Sequence, residues 1–270
     1  MSELNRVEVE IKDQIAHVKL ARPKKHNALD MLMFKTIVQT IKTLKKDRSI
    51  RAVILSGQGP DFCTGLDVKS VMKSVKGPLK LLLKLNPCGS NLAQKVSTDW
   101  QNIGVPVIAA IHGRCWGGGL QIALGADFRI ATADASLSIM EGRWGLIPDM
   151  GGTLAFREHC RMDITKELAM TARIIDGKQA QQAGLVTHVS DDPLAKALDL
   201  AKEISQQSPD SVAGVKKLYN KSWFGSKGGA LMRESYYQLR IILGKNGKIK
   251  SYNQTHKPEE HKNFVDRKKW

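Results

Sequence analysis

Three consecutive glycines, Gly117, Gly118 and Gly119, stand between an apolar run at residues 106–111 (PVIAAI) and an apolar helical pattern at residues 120–127 (LQIALGAD). A buried strand that feeds a glycine turn and then a helix is the building unit of an α/β fold. Glycine lets a backbone approach a ligand closely. The first N–H groups of a helix lack internal partners, and the helix dipole favours negative charge there. The triplet is therefore either a cradle for an oxyanion or a device for packing a helix tightly on a sheet.

The rest of the chain repeats the theme. Val7, Val9 and Ile11 alternate with polar residues, Lys12-Asp13-Gln14 turns the chain, and Ala16, Val18 and Leu20 alternate again, which reads as a hairpin. From Met31 the spacing becomes helical, with Met33, Ile37, Ile41 and Leu44 on one face and Asp30 as the N-cap. Residues 51–55 (RAVIL) read as a buried strand leading into a second glycine loop, SGQGPDFCTG. Short strands are expected at 128–131 and 137–139, and a helix from Gly151. Residues 68–100 are lysine-rich and contain Pro78 and Asn86-Pro87; they read as helical segments with a mobile surface excursion. Two strands followed by a helix recur without a sequence repeat. From Pro193 onward the patterns are helical only: residues 195–204, a helix opened by Ser208-Pro209-Asp210, and residues 228–243. The expected division is an α/β core at 1–190 and a helical segment with a basic tail at 191–270, packed either on its own core or on a neighbouring subunit.

Several function classes are excluded. Gly57 and Gly59 lack the third glycine of a dinucleotide-binding loop, and there is no Walker A lysine and no GxSxG. Cys63, Cys88, Cys115 and Cys160 are scattered, without CxxC, and no HExxH or His/Cys cluster occurs, so no metal is expected. His17 falls on the outward face of a strand, His26 lies in the loop after the hairpin, and His112 precedes the glycines. No apolar run approaches the roughly 18 residues of a membrane span, and the N-terminus lacks a signal-like apolar region. The expected location is the cytoplasm. The 42 basic and 26 acidic side chains leave a net charge of +16, which favours anionic partners or simply solubility. Aromatic residues do not interleave with the basic ones as in stacking platforms, so nucleic acid is an unlikely partner.

Taken in order, HNALD, FCTGLD, PVIAAIHGRCWGGGLQIALGADFRIAT, MEGRWGLIPDMGGT and TARIIDGKQAQQAGLVTHV resemble the crotonase (enoyl-CoA hydratase/isomerase) superfamily, from Val7 to Pro209. The resemblance implies an α/β spiral of ββα units with a helical C-terminal segment that makes homotrimers, often hexamers. It implies an acyl-CoA thioester substrate and no cofactor beyond the coenzyme A the substrate carries. The N–H groups of Leu66 and Gly118 would form the oxyanion hole. Lys25, Ala28, Gly65, Asp67 and Val68 would cradle the CoA nucleotide, with backbone contacts from Asp67 and Val68 to adenine, and Arg22 or Lys24 would meet phosphate.

The same resemblance exposes a departure. Hydratases of the superfamily pair two glutamates, one to activate water and one to handle the α-proton. The second corresponds to Glu141, but the first position holds Gln121, which exchanges no proton at neutral pH. Gln121 would then orient water through its amide. Asp149 stands where dienoyl-CoA isomerases of the superfamily carry a catalytic aspartate, or else it is a turn or helix-cap residue. Three readings follow: a hydratase/isomerase with Glu141 as acid/base, a double-bond isomerase using Glu141 and Asp149, or a homologue that binds acyl-CoA or RNA without catalysis. Trp144 and Met150 read as core or acyl-pocket lining.

Overall fold

The computed structural model describes residues 5–71, 76–84 and 86–270. Strands β1 (Val7–Lys12) and β2 (Ile15–Leu20) form the expected antiparallel hairpin. Its two-residue turn, Asp13 and Gln14, has φ of 50° and 62°, the conformation that matches the strand twist. Helix α1 (Met31–Lys46) begins at Asp30, whose carboxylate accepts the Met33 N–H at 2.8 Å and is also held by Arg6 and Arg22. Strand β3 (Ala52–Gly57) lies parallel to β2. Residues 68–98 supply α2 (Val68–Val71), α3 (Lys76–Leu82) and α4 (Leu92–Thr98). The excursion expected in this stretch falls partly on residues 72–75 and 85, outside the described residues.

Strands β4 (Val107–Ile111) and β5 (Arg114–Trp116) lead into α5 (Gly118–Leu124). Strands β6 (Phe128–Ala131) and β7 (Ser136–Ser138) lead into a 3-10 turn (Met140–Trp144), α6 (Gly152–His159), α7 (Met162–Thr171), α8 (Gly177–Gln182) and β8 (His188–Val189). The large sheet has the order β1-β2-β3-β4-β6-β8, antiparallel only at β1–β2, and β5 pairs with β7 in a separate parallel ribbon. Successive turns of the chain thus place one strand in the large sheet and the next in the ribbon. After β3 the second strand shrinks to one bridge, Cys63 beside Cys115, which continues the ribbon by a single residue. This is the ββα spiral.

One face of the sheet is buried against α1, α4, α5 and the ribbon, around Phe34, Phe62 and Trp100. The other face, Ile15, Ile54, Ile108 and Ile130, is covered by Ala197 and Ala201 of α9 (Pro193–Ser205). Helix α9, in the segment expected at 191–270, thus packs on its own core and seals the second side of the sheet, because parallel strands must be covered on both faces. Beyond it lie α10 (Pro209–Ser222), α11 (Lys227–Ile242) and α12 (Lys245–Thr255). Helix α12 was not legible, because KIKSYNQT carries no apolar stripe. The basic tail orders on its own core. Arg267 is buried and donates to Asp47 O, while Trp270 donates to Asp210 at 3.2 Å and packs edge-on against Tyr237. Lys216 of α10 reaches inward to Asp127 at 2.6 Å and also donates to the carbonyls of Trp100 and Val105. Among the described residues no helix is long and apolar enough to cross a membrane.

Candidate active site

The site begins with a backbone register. Cys63 N–H donates to Arg114 O and Trp116 N–H donates to Cys63 O, each at 3.0 Å. Residue 63 is thereby fixed beside 115, and three residues further on Leu66 comes alongside Gly118. On its other side the loop is tied to Leu29: Leu29 N–H donates to Gly65 O at 2.8 Å and Asp67 N–H to Leu29 O at 3.0 Å. Those bonds use the groups that flank Leu66 and turn its own N–H away from Leu29, with no acceptor among the described residues. Gly118 opens α5, so its N–H has no intrahelical partner. Two unspent donors therefore sit on adjoining loops. The approach is as close as backbone allows. A Cβ at Gly65 would lie 2.8 Å from Trp116 O and 3.2 Å from Gly118 N, and one at Gly119 would lie 2.3 Å from Cys63 O. Packing and cradle, the two readings of the glycine triplet, are one device here.

Three predicted polar residues converge beside these donors. Gln121, on α5 and 1% exposed, accepts the N–H groups of Met150 and Gly152, both at 2.9 Å, on Oε1. Those two bonds fix the amide orientation, so Nε2 donates to Glu141 Oε1, at 2.6 Å. Gln121 can therefore meet a water only through its one remaining N–H, because its oxygen is fully occupied. It clamps α5, the Glu141 turn and the loop entering α6 together. Glu141 Oε2 is buried and has no hydrogen-bond partner among the described residues. Burial raises the Glu141 pKa; the Gln121 bond opposes the rise and the nearby Asp149 charge adds to it. Asp149 lies at the rim with part of its side chain in solvent, yet the protein packed around it also holds its carboxyl above the usual range. The N-cap of α6 is Gly151, at φ 87°, so Asp149 is no helix cap.

The loop of residues 22–28 joins the same neighbourhood but not as expected. Arg22 is consumed internally, by Asp67 at 2.8 Å, by Asp30 and by Ala28 O at 2.9 Å, and does not reach out to phosphate. The N–H groups of Asp67 and Val68 go to Leu29 O and Leu66 O, so the backbone contacts expected to adenine fall to their carbonyls. Lys25 remains exposed on its 3-10 turn (Pro23–Lys25). Gly65, Asp67 and Val68 flank Leu66 in the chain, and Ala28 is tied to the same loop through Arg22, which bonds both Ala28 O and Asp67.

A cleft of 440 Å³ opens beside Leu66, lined also by Thr64, Trp116, Met140 and Trp144 and by His26, Arg114 and Arg143. Trp144 is 62% exposed and belongs to the cleft wall, not the core, whereas Met150 is buried behind Gly118. Arg114 and Arg143 were not singled out from the sequence, although both stand inside the motifs GRCWGGG and MEGRWG. Their unmatched charge was the available signal. His17 bonds Ser56 and His112 bonds Gly59 O, structural roles both. A larger hollow of 630 Å³ between α7 and α8 contains none of these groups. No cluster of three metal-ligating side chains occurs among the described residues.

Comparison with known proteins agrees with this geometry. A family model described as enoyl-CoA hydratase/isomerase matches residues 10–239, a span holding both glycine loops, Gln121, Glu141 and Asp149. The chain belongs to the enoyl-CoA hydratase/isomerase family. Within the family it is similar to mitochondrial methylglutaconyl-CoA hydratase of Mus musculus, with 34% identity over 72% of this chain and 62% of that protein. It is also similar to mitochondrial Delta(3,5)-Delta(2,4)-dienoyl-CoA isomerase of Rattus norvegicus, with 32% identity over 75% of this chain and 64% of that one. The chain thus spans about three-fifths of the length of these relatives. The crystal structure of an enoyl-CoA hydratase from Bacillus anthracis superposes with a TM-score of 0.85, at 25% identity over 96% of this chain and 99% of that one. The family match ends within α11, leaving α12 and the pinned tail outside it.

Proposed function

We propose that this family member moves a carbon–carbon double bond within an acyl-CoA thioester. The N–H groups of Leu66 and Gly118 hold the thioester oxygen, Glu141 takes the proton, and Asp149 is its partner. The observation that carries the reading is the sealed amide of Gln121. With its oxygen committed to Met150 and Gly152, the residue across from Glu141 offers no acceptor for a proton, whether from a carbon or from an attacking water.

The chemistry then needs only the groups present. Glu141 Oε2, the unpartnered oxygen, removes a proton from a carbon conjugated to the carbonyl. The C–H electron pair moves into the chain and negative charge gathers on the thioester oxygen. Two fixed N–H donors stabilise that charge without reorganising, each worth about 3–4 kcal/mol of barrier. A proton returned to a different carbon, from Asp149 or from Glu141 itself, collapses the enolate with the double bond displaced. No atom is gained or lost. Raised carboxyl pKa values bring both groups nearer to neutral pH, where proton transfer is efficient.

The CoA moiety would enter past Lys25 and the Gly65–Val68 loop. Trimeric or hexameric assembly is supported by the exposed apolar surface at the end of α10 and on α11, where the C-cap Trp223 and Met232 are 68% and 65% exposed. A cytoplasmic location is part of the same proposal.

The test is a panel of enoyl- and dienoyl-CoA thioesters in D₂O, followed by product mass and ultraviolet spectrum. A shifted double bond with deuterium uptake and no added water supports the reading. Gain of water on a 2-enoyl-CoA would replace it with hydration through Glu141 alone. Tight thioester binding without turnover would replace it with a non-catalytic binder.

A further inference from the structure

Asp61 is 3% exposed and accepts three hydrogen bonds from Arg114 and, in the tautomer that carries a proton on Nδ1, one from His26. Oδ1 takes the N–H and Nε–H of Arg114, both at 2.8 Å, and Oδ2 meets Arg114 Nη2 and His26 Nδ1, both at 2.7 Å. The Arg114 Nη2 also lies 2.7 Å from His26 Nδ1. A guanidinium carries five N–H groups. Asp61 takes the Nε proton and one Nη2 proton, the other Nη2 proton lies against His26, and both protons on Nη1 are without a partner among the described residues. The guanidinium also lies 5.4 Å from the centre of the Trp116 ring, within cation–π range. A buried carboxylate thus holds this arginine by a bidentate fork, with an unused edge in the cleft beside Leu66.

Arg143 stands on the same cleft. Its Nε–H goes to Ala172 O at 3.3 Å, and its terminal nitrogens have no partner among the described residues. Both fully charged side chains that line the cleft, Arg114 and Arg143, are cationic; of the carboxylates around it, Asp61, Asp67 and Glu141 face Arg114, Arg22 and Gln121, and Asp149 is not part of the lining. Arg114 opens β5, four residues before Gly118, so their backbones are at most about 13 Å apart. The preorganised cation and the reacting carbonyl are therefore separated by a distance that one extended ligand spans.

We propose, resting on the acyl-thioester reading above, that Arg114 and Arg143 recognise an anionic oxygen group of the thioester ligand, a phosphate of its CoA moiety or a carboxylate on its acyl chain. Asp61 and His26 act as positioning residues. The phosphate or carboxylate docks on Arg114 Nη1, and Arg143 closes on it from the opposite wall.

The test is calorimetric binding of saturated, unreactive ligands, so that it does not depend on turnover: butyryl-CoA, glutaryl-CoA and S-butyryl-pantetheine. Arg114→Gln keeps a donor for Asp61 while removing the charge, and Arg143→Ala leaves Asp61 untouched. Each variant is expected to bind the matching anionic ligand about 10- to 100-fold more weakly, the range for a lost charged hydrogen bond. A loss seen for both CoA thioesters but not for the pantetheine thioester assigns the phosphate. A loss confined to glutaryl-CoA assigns the acyl carboxylate. Unchanged affinity for all three ligands in both variants, or an equal loss on the uncharged pantetheine thioester, overturns the proposal. Wild-type protein that binds none of the three overturns the acyl-thioester reading itself, and the proposal with it.

Discussion

The clamp made by Gln121 can be tested through its energetics. Replacing Gln121 by Met keeps the side-chain length and removes every polar atom. Two buried N–H groups, of Met150 and Gly152, then lose their acceptor, and Glu141 loses its donor. An unsatisfied buried N–H costs about 1–3 kcal/mol, so the pair costs about 2–6 kcal/mol. At about 2 °C per kcal/mol for a chain of this size, melting should fall by roughly 4–12 °C. Gln121→Glu is the informative partner. A carboxylate still accepts both N–H groups, but it stands 2.6 Å from Glu141 Oε1. At an effective dielectric near 20 the repulsion of two charges at that distance is about 6 kcal/mol, so the pair retains one proton at neutral pH. Its folded pKa is raised, the folded state holds more protons than the unfolded one, and stability falls as pH rises. Scanning calorimetry from pH 5 to 9 should show Gln121→Met destabilised throughout and Gln121→Glu close to wild type at pH 5 but progressively weaker above it. A Gln121→Met melting point within about 2 °C of wild type, or a Gln121→Glu profile parallel to wild type, would refute the clamp.

Other perturbations address the remaining parts. Glu141→Gln should cut turnover about 10²–10⁴-fold. Because the raised Glu141 pKa makes its ionisation unfavourable to folding, that variant should also melt higher than wild type at pH 8 and not at pH 4; equal gains at both would contradict the assignment. Gly119→Ala drives a methyl to 2.3 Å from Cys63 O and forces the two glycine loops apart. It should lower kcat more than it raises KM, whereas unchanged kinetics would show that loop spacing is unimportant. Lys216→Met leaves Asp127 without its buried partner and should cost about 3–5 kcal/mol, read as a lower urea midpoint. Asp61 is pulled down to about 2, its burial outweighed by the bonds from Arg114 and His26. Its contribution to stability is full above its ordinary pKa near 3.8 and is lost as pH falls toward 2, so Asp61→Asn should flatten the acid limb of the stability curve there.

Much of this protein is written locally. The Val7/Val9/Ile11 alternation, the Asp30 and Ser208 caps, and the glycine triplet after an apolar run each act over a few residues, through dihedral preference and hydrogen bonds to near neighbours. The order of the motifs was enough to name the family and the spiral, and to single out Glu141 and the N–H groups of Leu66 and Gly118 as candidates. The tertiary structure decided what depends on contacts between distant segments. That Gln121 is sealed follows from Met150 and Gly152, 29 and 31 residues away, turning their N–H groups toward it. Arg22 looked like a phosphate ligand until Asp67, 45 residues on, claimed it, and Arg114 looked like nothing until Asp61 gripped it across 53 residues. Helix α9 joined the core because a parallel sheet must be covered on its second face, a requirement that belongs to the sheet and not to the helix. A residue's type states which bonds it can make; only the packed chain determines which of them are already spent, and the chemistry belongs to those that are not.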